Sequence, residues 1–240
     1  MFAFQCPTQK ICIGPEGYYL KRMKEGGAWQ SGTLIGVYGT YERIKPNSFY
    51  WGLIGTYANG RINGKSALGK DLASNFTDEE IEARLGFTIK DNCRYSSLFT
   101  PFIGYGYLEQ VNSYLPPSVL ILQFKDKITY FSFGFLSEVK MSKRFSIGLN
   151  VLMKWMLEGR CEVTGDPDED DSLFIIENEM QYALELPIVY QLSQHKKVFT
   201  LSCVPFFQFR HYGGRENYPF DFIDTKFRVY GLRLLCNYWF

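Results

Sequence analysis

The chain reads as all-β: a single up-and-down antiparallel sheet of about ten strands, closed into a barrel whose greasy side faces lipid. Three observations lead there. Apolar and polar residues alternate with period two in segment after segment, the pattern of a strand with two different faces. The connections alternate between tight turns and longer polar loops, the connectivity of an up-and-down barrel. Aromatic residues make up 18% of the 240 positions, with 17 Tyr and 21 Phe, enough to furnish rings at two membrane interfaces.

The last stretch shows the alternation best. Counting back by twos from the end gives Phe240, Tyr238, Cys236, Leu234, Leu232 and Tyr230, all apolar or aromatic. Between them stand Trp239, Asn237, Leu235, Arg233 and Gly231, a mixed set carrying a charge. This stretch resembles the closing strand of bacterial outer-membrane β-barrels, which ends on phenylalanine after alternating apolar residues. The resemblance implies a bacterial outer-membrane location, and Tyr238 and Phe240 as the mark read by the barrel-assembly machinery.

In chain order, residues 1–14 read as a lead-in and 15–240 as the barrel. Glu16 to Glu25 is a strand of poor alternation, followed by a Gly26-Gly27 turn. Thr33 to Arg43 is the next strand, then the turn Lys45-Pro46-Asn47-Ser48 and a strand from Phe49 to Ala58. Gly60 to Asp78 is polar and reads as a loop. Glu80 to Ile89 follows, with Ile81, Ala83, Leu85, Phe87 and Ile89 on one face and Glu80, Glu82, Arg84, Gly86 and Thr88 on the other. A helix does not fit that spacing. Further strands span Tyr95–Leu108, Lys127–Lys140, Phe145–Arg160, Met180–Leu192, Phe199–Arg210 and Tyr230–Phe240. The tight turns fall at Asp91–Arg94, Met141–Arg144 and Gln194–Lys197. The longer loops are Glu109–Ser118, the acidic Gly165–Asp171 and His211–Asp221.

The volumes decide which face points where. A ten-stranded barrel has little more room inside than its own side chains fill. The Phe, Tyr, Trp, Leu and Ile of ten strands overfill it. Trp51, Leu85, Phe133, Trp155, Leu184 and Leu234 are therefore expected outside. Glu42, Glu82, Arg84, Glu138, Lys154, Glu158, Glu185, Arg210 and Arg233 are expected in the lumen. Charges in a narrow tube are costly unless paired, so these acids and bases form a network that plugs the barrel. Tyr38, Tyr50, Phe102, Leu136, Leu152 and Phe206 add bulk beside it.

Function classes narrow accordingly. A net charge of +1 gives no field for nucleic acid. No apolar run reaches the roughly 18 residues of a membrane helix. The start, MFAFQCPTQKICIG, lacks a signal peptide's basic region and apolar core, although an outer-membrane protein must be exported. Cysteine spacing gives no zinc pattern. Cys6 and Cys12 are a candidate disulfide in an oxidising compartment, while Cys203 and Cys236 read as small apolar residues. The acidic run Asp166, Asp168, Glu169, Asp170 and Asp171 reads as solvated charge, with a divalent cation as the alternative. No cofactor is implied. The expected role is structural or surface-interacting, with outer-membrane lipid around the wall and an extracellular ligand or host surface at the loops. A small-solute channel is the alternative. Rim catalysis comes behind it, as in the outer-membrane proteases called omptins or in lipid-modifying barrels. It would rest on His211 beside Asp221 and Asp224, since His195 falls in a turn at the other end.

Overall fold

The computed structural model describes residues 8–91, 96–118, 121–165, 172–177, 179–192, 198–214 and 224–240. The strands are β1 (Gln9–Lys24), β2 (Trp29–Arg43), β3 (Ser48–Lys65), β4 (Asp71–Asp91), β5 (Ser97–Leu115), β6 (Gln123–Lys140), β7 (Phe145–Thr164), β8 (Ser172–Ile175), β9 (Met180–Glu185), β10 (Ile188–Gln191), β11 (Val198–Tyr212) and β12 (Thr225–Trp239). All pair antiparallel, and β12 pairs with β1 from Lys10↔Trp239 to Lys24↔Thr225, closing the barrel. The twelve segments make ten walls, because β8, β9 and β10 lie end to end in the eighth. The two ends of the described chain meet: Thr8 and Gln9 both donate their N–H to the Phe240 carbonyl at 3.1 Å.

Around the lower half of every wall the alternation puts apolar groups outside. On β4, Ile81, Leu85, Phe87 and Ile89 are exposed while Glu82 is 1% exposed. Trp51, Phe133, Trp155, Leu184 and Leu234 take the outward phase on their strands. Outward aromatics gather in two rings. Tyr19, Tyr57, Tyr107, Trp155, Tyr182 and Tyr230 form the upper one, and Phe49, Phe87, Phe99, Phe145, Phe199 and Phe240 belong to the lower. Phe49 to Tyr57 and Phe99 to Tyr107 each span about 26 Å of strand, or about 20 Å of height at a tilt of about 40°. That matches the roughly 25 Å apolar band of a membrane barrel. The barrel therefore spans a membrane, greasy side out.

The walls continue well above the upper ring. β4 has 21 residues where about 9–11 cross a bilayer. Here the pattern inverts. Outside are Asn59, Arg61, Asn63, Glu79, Glu109, Lys125 and Lys127, while Ile62, Phe76, Leu108, Ile128 and Phe227 point inward, each at 0–1% exposure. Above the lipid the wall meets water on its outer side, so it packs like a soluble barrel. This corrects two expected loops. Gly60–Asp78 and Glu109–Ser118 are largely strand, with tight tips at Ser66–Lys70 and after Leu115.

Other expectations also shift. β1 begins at Gln9, not Glu16. The eighth wall is broken at Leu186-Pro187, since proline cannot donate to a ladder. The gap is bridged by Leu186 N–H to the Pro205 carbonyl at 3.0 Å and Gly148 N–H to the Pro187 carbonyl at 2.8 Å. β8 was not expected. Asn47 turns with φ 52° as the Lys45–Ser48 turn requires, and Gly26 and Gly27 turn with φ 85° and 96°. The Asp91–Arg94 turn falls largely, and the Gln194–Lys197 turn wholly, outside the described residues. Cys12 is a free, buried thiol, and Cys6 is outside the described residues.

Candidate functional site

The lumen is the site that the alternation builds, and it is stratified. At the lower mouth Lys10 pairs with Glu42 at 2.6 Å, and Tyr50 donates to Glu42 at 2.8 Å. Glu138 accepts from Ser146 at 2.6 Å, and the Asn237 amide donates to Thr200 and Ser202. Of these, Lys10, Glu42, Glu138, Ser202 and Asn237 line a vestibule of about 120 Å³.

The next layer is a dense ion-pair network. Arg84 donates to both oxygens of Glu82, at 2.8 and 3.1 Å, and Ser132 donates to the same carboxylate. Lys154 and Tyr130 both donate to Glu80 at 2.6 Å. Arg233 bridges Glu16 at 3.0 Å and Glu185 at 2.6 Å, and Asn150 donates to Glu185 at 3.0 Å. The Arg233 guanidinium also lies 4.1 Å from the Tyr38 ring centre and 4.2 Å from that of Phe206. Rings so placed attract a cation and leave no room beside it. The cavity remaining in this layer is about 30 Å³, space for a water or two.

Above it Arg210 holds Asp78 with Nη1 at 2.9 Å from each oxygen, and Tyr18 and Gln110 complete that carboxylate's shell at 2.7 and 3.1 Å. Then comes the apolar storey. Leu20, Leu34, Ile62, Phe76, Leu108, Ile128, Met156 and Phe227 are sealed together across the barrel. A polar knot caps it, in which Gln30 donates to Ser74 at 2.9 Å and accepts from Tyr114 at 3.2 Å.

Of the expected lumen set, Glu42, Glu82, Arg84, Lys154, Glu185, Arg210 and Arg233 join these layers, and Glu138 lines the vestibule. Glu158 does not. The pairing of β6 with β7 slips at Thr129/Tyr130, where Tyr130 faces Met156 but Thr129 faces Glu158. The extra residue is Leu157, and the bulge exchanges the faces beyond it. Glu158 thus lies on the outer wall, paired with Arg160. The lumen set expected from the sequence omits Lys10, Glu16, Asp78 and Glu80. Glu80 is read from the sequence on the same face as Glu82 and Arg84, and Asp78 continues that phase once the strand is carried upward.

The rim histidine faces away from all this. His211 shares the outward phase of Phe209, with Nε2 2.8 Å from Asp224 and Nδ1 3.5 Å from Glu179. Partial burial works to raise the Asp224 pKa, but the hydrogen bond and charge of His211 outweigh it and hold the carboxyl below its ordinary range. His195, Asp221 and the acids of the Gly165–Asp171 loop lie outside the described residues. Among the described residues no group of three or more His, Cys, Asp or Glu could hold a metal ion.

A closed antiparallel barrel with an apolar outer belt, two aromatic rings and a packed polar lumen defines a bacterial outer-membrane β-barrel. Solved structures carry the same fold. The outer membrane protease OmpT of Escherichia coli superposes with TM-score 0.61 at 10% identity, covering 100% of this chain and 98% of that one. The translocator domain of the autotransporter NalP of Neisseria meningitidis superposes with TM-score 0.52 at 9% identity, covering 98% of this chain and 90% of that one. No protein-family model and no curated protein sequence matches the chain.

Proposed function

We propose that the chain is a closed outer-membrane barrel whose lumen is a structural plug and whose upper wall and loops are its working surface. One observation carries this reading: the lumen is filled in series by an ion-pair layer and an apolar layer. Below the apolar layer each of Lys10, Arg84, Lys154, Arg233 and Arg210 is bonded to a carboxylate. Above it an apolar core stands where a conducting tube would hold water. The tall, water-facing upper wall is a rigid scaffold of the kind that carries recognition. Tyr238 and Phe240, outward on the last strand, keep their place in this reading as the mark for the assembly machinery.

The vestibule at the lower mouth favours small-solute passage as a second reading, since the charged side chains of Lys10, Glu42, Arg84, Glu138 and Glu185 line it. It requires the apolar storey to move. Catalysis at the rim finds less support: His211 is occupied by two carboxylates on the outer wall, away from the inward-facing Asp78 and Glu80. OmpT is itself a protease, and a likeness at 10% identity brings only its fold to this chain.

Swelling of liposomes in arabinose or glycine tests the reading. Liposomes containing the purified chain should swell no faster than empty ones. Swelling above that background would reject the plug. Glu82→Gln and Arg84→Gln should lower heat stability without producing swelling.

A further inference from the structure

We infer that the vestibule at the lower mouth is a binding site for a small primary alkylammonium ion, with Glu138 holding the charge and Leu98 and Leu136 lying along the alkyl tail. Ile44, just past the end of β2, is among the lining residues, so the cavity reaches the mouth. The charges in and behind it do not balance. Lys10 is taken by Glu42 at 2.6 Å and Arg84 by Glu82 at 2.8 Å, while Arg233 is shared between Glu16 at 3.0 Å and Glu185 at 2.6 Å. Among the described residues Glu138 pairs with no cation, and only the Ser146 hydroxyl donates to its carboxylate, at 2.6 Å. Lys90, two strands away in the same row, and Lys140, next toward the rim, form no ion pair with it. A carboxylate drawn into a cavity without a counter-charge is held there at a cost. A ligand that brings a cation removes that cost.

Size and lining narrow the ligand further. The cavity is about 120 Å³. A void of about 150 Å³ accepts a molecule the size of benzene, so this one suits a ligand of about five or six heavy atoms. Beside the carboxylate the lining is apolar. Leu98 is the direct cross-strand partner of Glu138, Leu136 precedes Glu138 on the same face, and Val189, Val204 and Leu235 add to the apolar share of the wall. An inorganic cation would meet the charge but gain nothing from that lining. A ligand carboxylate would find Lys10, Arg84 and Arg233 already bonded. Asn237 spends its amide on Thr200 and Ser202, at 2.9 and 2.7 Å, so what it has left for the cavity is a carbonyl oxygen, one more acceptor for an ammonium group.

The site requires the cavity and not the plug. A ligand enters it from the lower mouth whether the lumen above is closed or open. Binding in micelles and swelling of liposomes therefore report on the two separately.

The test is isothermal titration calorimetry of the full chain in non-ionic detergent micelles, with the heat of chain-free micelles subtracted. The probes are n-butylammonium chloride, n-butanol, ammonium chloride and sodium butyrate. Butylammonium, a ligand of about five heavy atoms, should bind the parent saturably with a dissociation constant of about a millimolar. Butanol lacks the charge, the ammonium ion lacks the tail and butyrate carries the wrong sign, so each should bind at least about tenfold more weakly. Two variants are compared with the parent. Glu138→Gln should weaken butylammonium binding by about tenfold or more, the worth of a charge-assisted bond. Glu158→Gln on the outer wall should leave it within about twofold. The probe series on the parent tests the site without any variant, so a Glu138→Gln protein that fails to fold does not shelter the proposal. No saturable butylammonium binding, equal binding of butanol, ammonium ion or butyrate, undiminished binding by a folded Glu138→Gln protein, or an equal loss in Glu158→Gln would each overturn the site.

Discussion

Arg233 joins more of the lumen than any neighbour, and its removal has a calculable cost. Its guanidinium bonds Glu16 at 3.0 Å and Glu185 at 2.6 Å, and the side chains of these acids are 3% and 18% exposed. Arg233→Met leaves two buried carboxylates facing each other without a cation. Breaking a buried pair from one side costs about 3–5 kcal/mol. Loss of the cation over Tyr38 and Phe206 adds about 1 kcal/mol. The sum, about 4–6 kcal/mol, corresponds to a melting temperature lower by roughly 8–24 °C for a chain of this size. The compensated variant Glu16→Gln/Arg233→Met/Glu185→Gln should recover most of this, because a neutral packed replacement for a buried network is often no less stable. Urea unfolding in micelles, followed by tryptophan fluorescence, measures all three proteins. A loss under about 1 kcal/mol for Arg233→Met, or no recovery in the triple variant, would refute the claim that Arg233 is held as a paired, desolvated charge.

Three further outcomes follow from the geometry. Glu82→Gln should cost about 2–3 kcal/mol, since it weakens charge-assisted bonds from Arg84, Ser132 and Tyr130, while Glu158→Gln on the outer wall should cost less than about 1 kcal/mol; the same urea titrations compare them. A methyl group on Gly106 would come within 2.4 Å of the Tyr130 ring, so Gly106→Ala should cost about 1–3 kcal/mol and disturb the Tyr130–Glu80 bond, visible as a shifted tyrosine ultraviolet spectrum. Because His211 lowers the folded-state pKa of Asp224, that pair stabilises the fold fully above the unfolded carboxyl value of about 4. The stability is lost as pH falls through the lower folded value, so melting curves of the parent and Asp224→Asn should differ at pH 7 and converge at low pH.

What the sequence revealed depended on where the wall stands. Where lipid covers the outside and charges fill the inside, the contrast between faces is large, and strands such as Glu80–Ile89 were legible with their phase. Above the upper ring the contrast inverts, and a polar exterior such as Asn59, Arg61 and Asn63 reads as loop. Asp78 was lost to the lumen set for that reason. Glu158 was misplaced because a bulge is a single added residue, and Leu157 beside Glu158 carries no composition that announces it. Lys10 and Glu16 were missed around Gly14 and Pro15, where the pairing of β1 with β12 skips two residues. The partners of each charge could not be read at all. Arg210 and Asp78 are 132 positions apart and meet only across the closed lumen.

Single-channel recording in a planar bilayer tests the plug most directly. The purified chain should insert without opening, giving a flat trace across both polarities. Phe76→Ala and Lys154→Gln should behave the same way, since each thins only one of two layers that block the tube in series. Stable, ion-permeable steps from the parent protein would contradict the account.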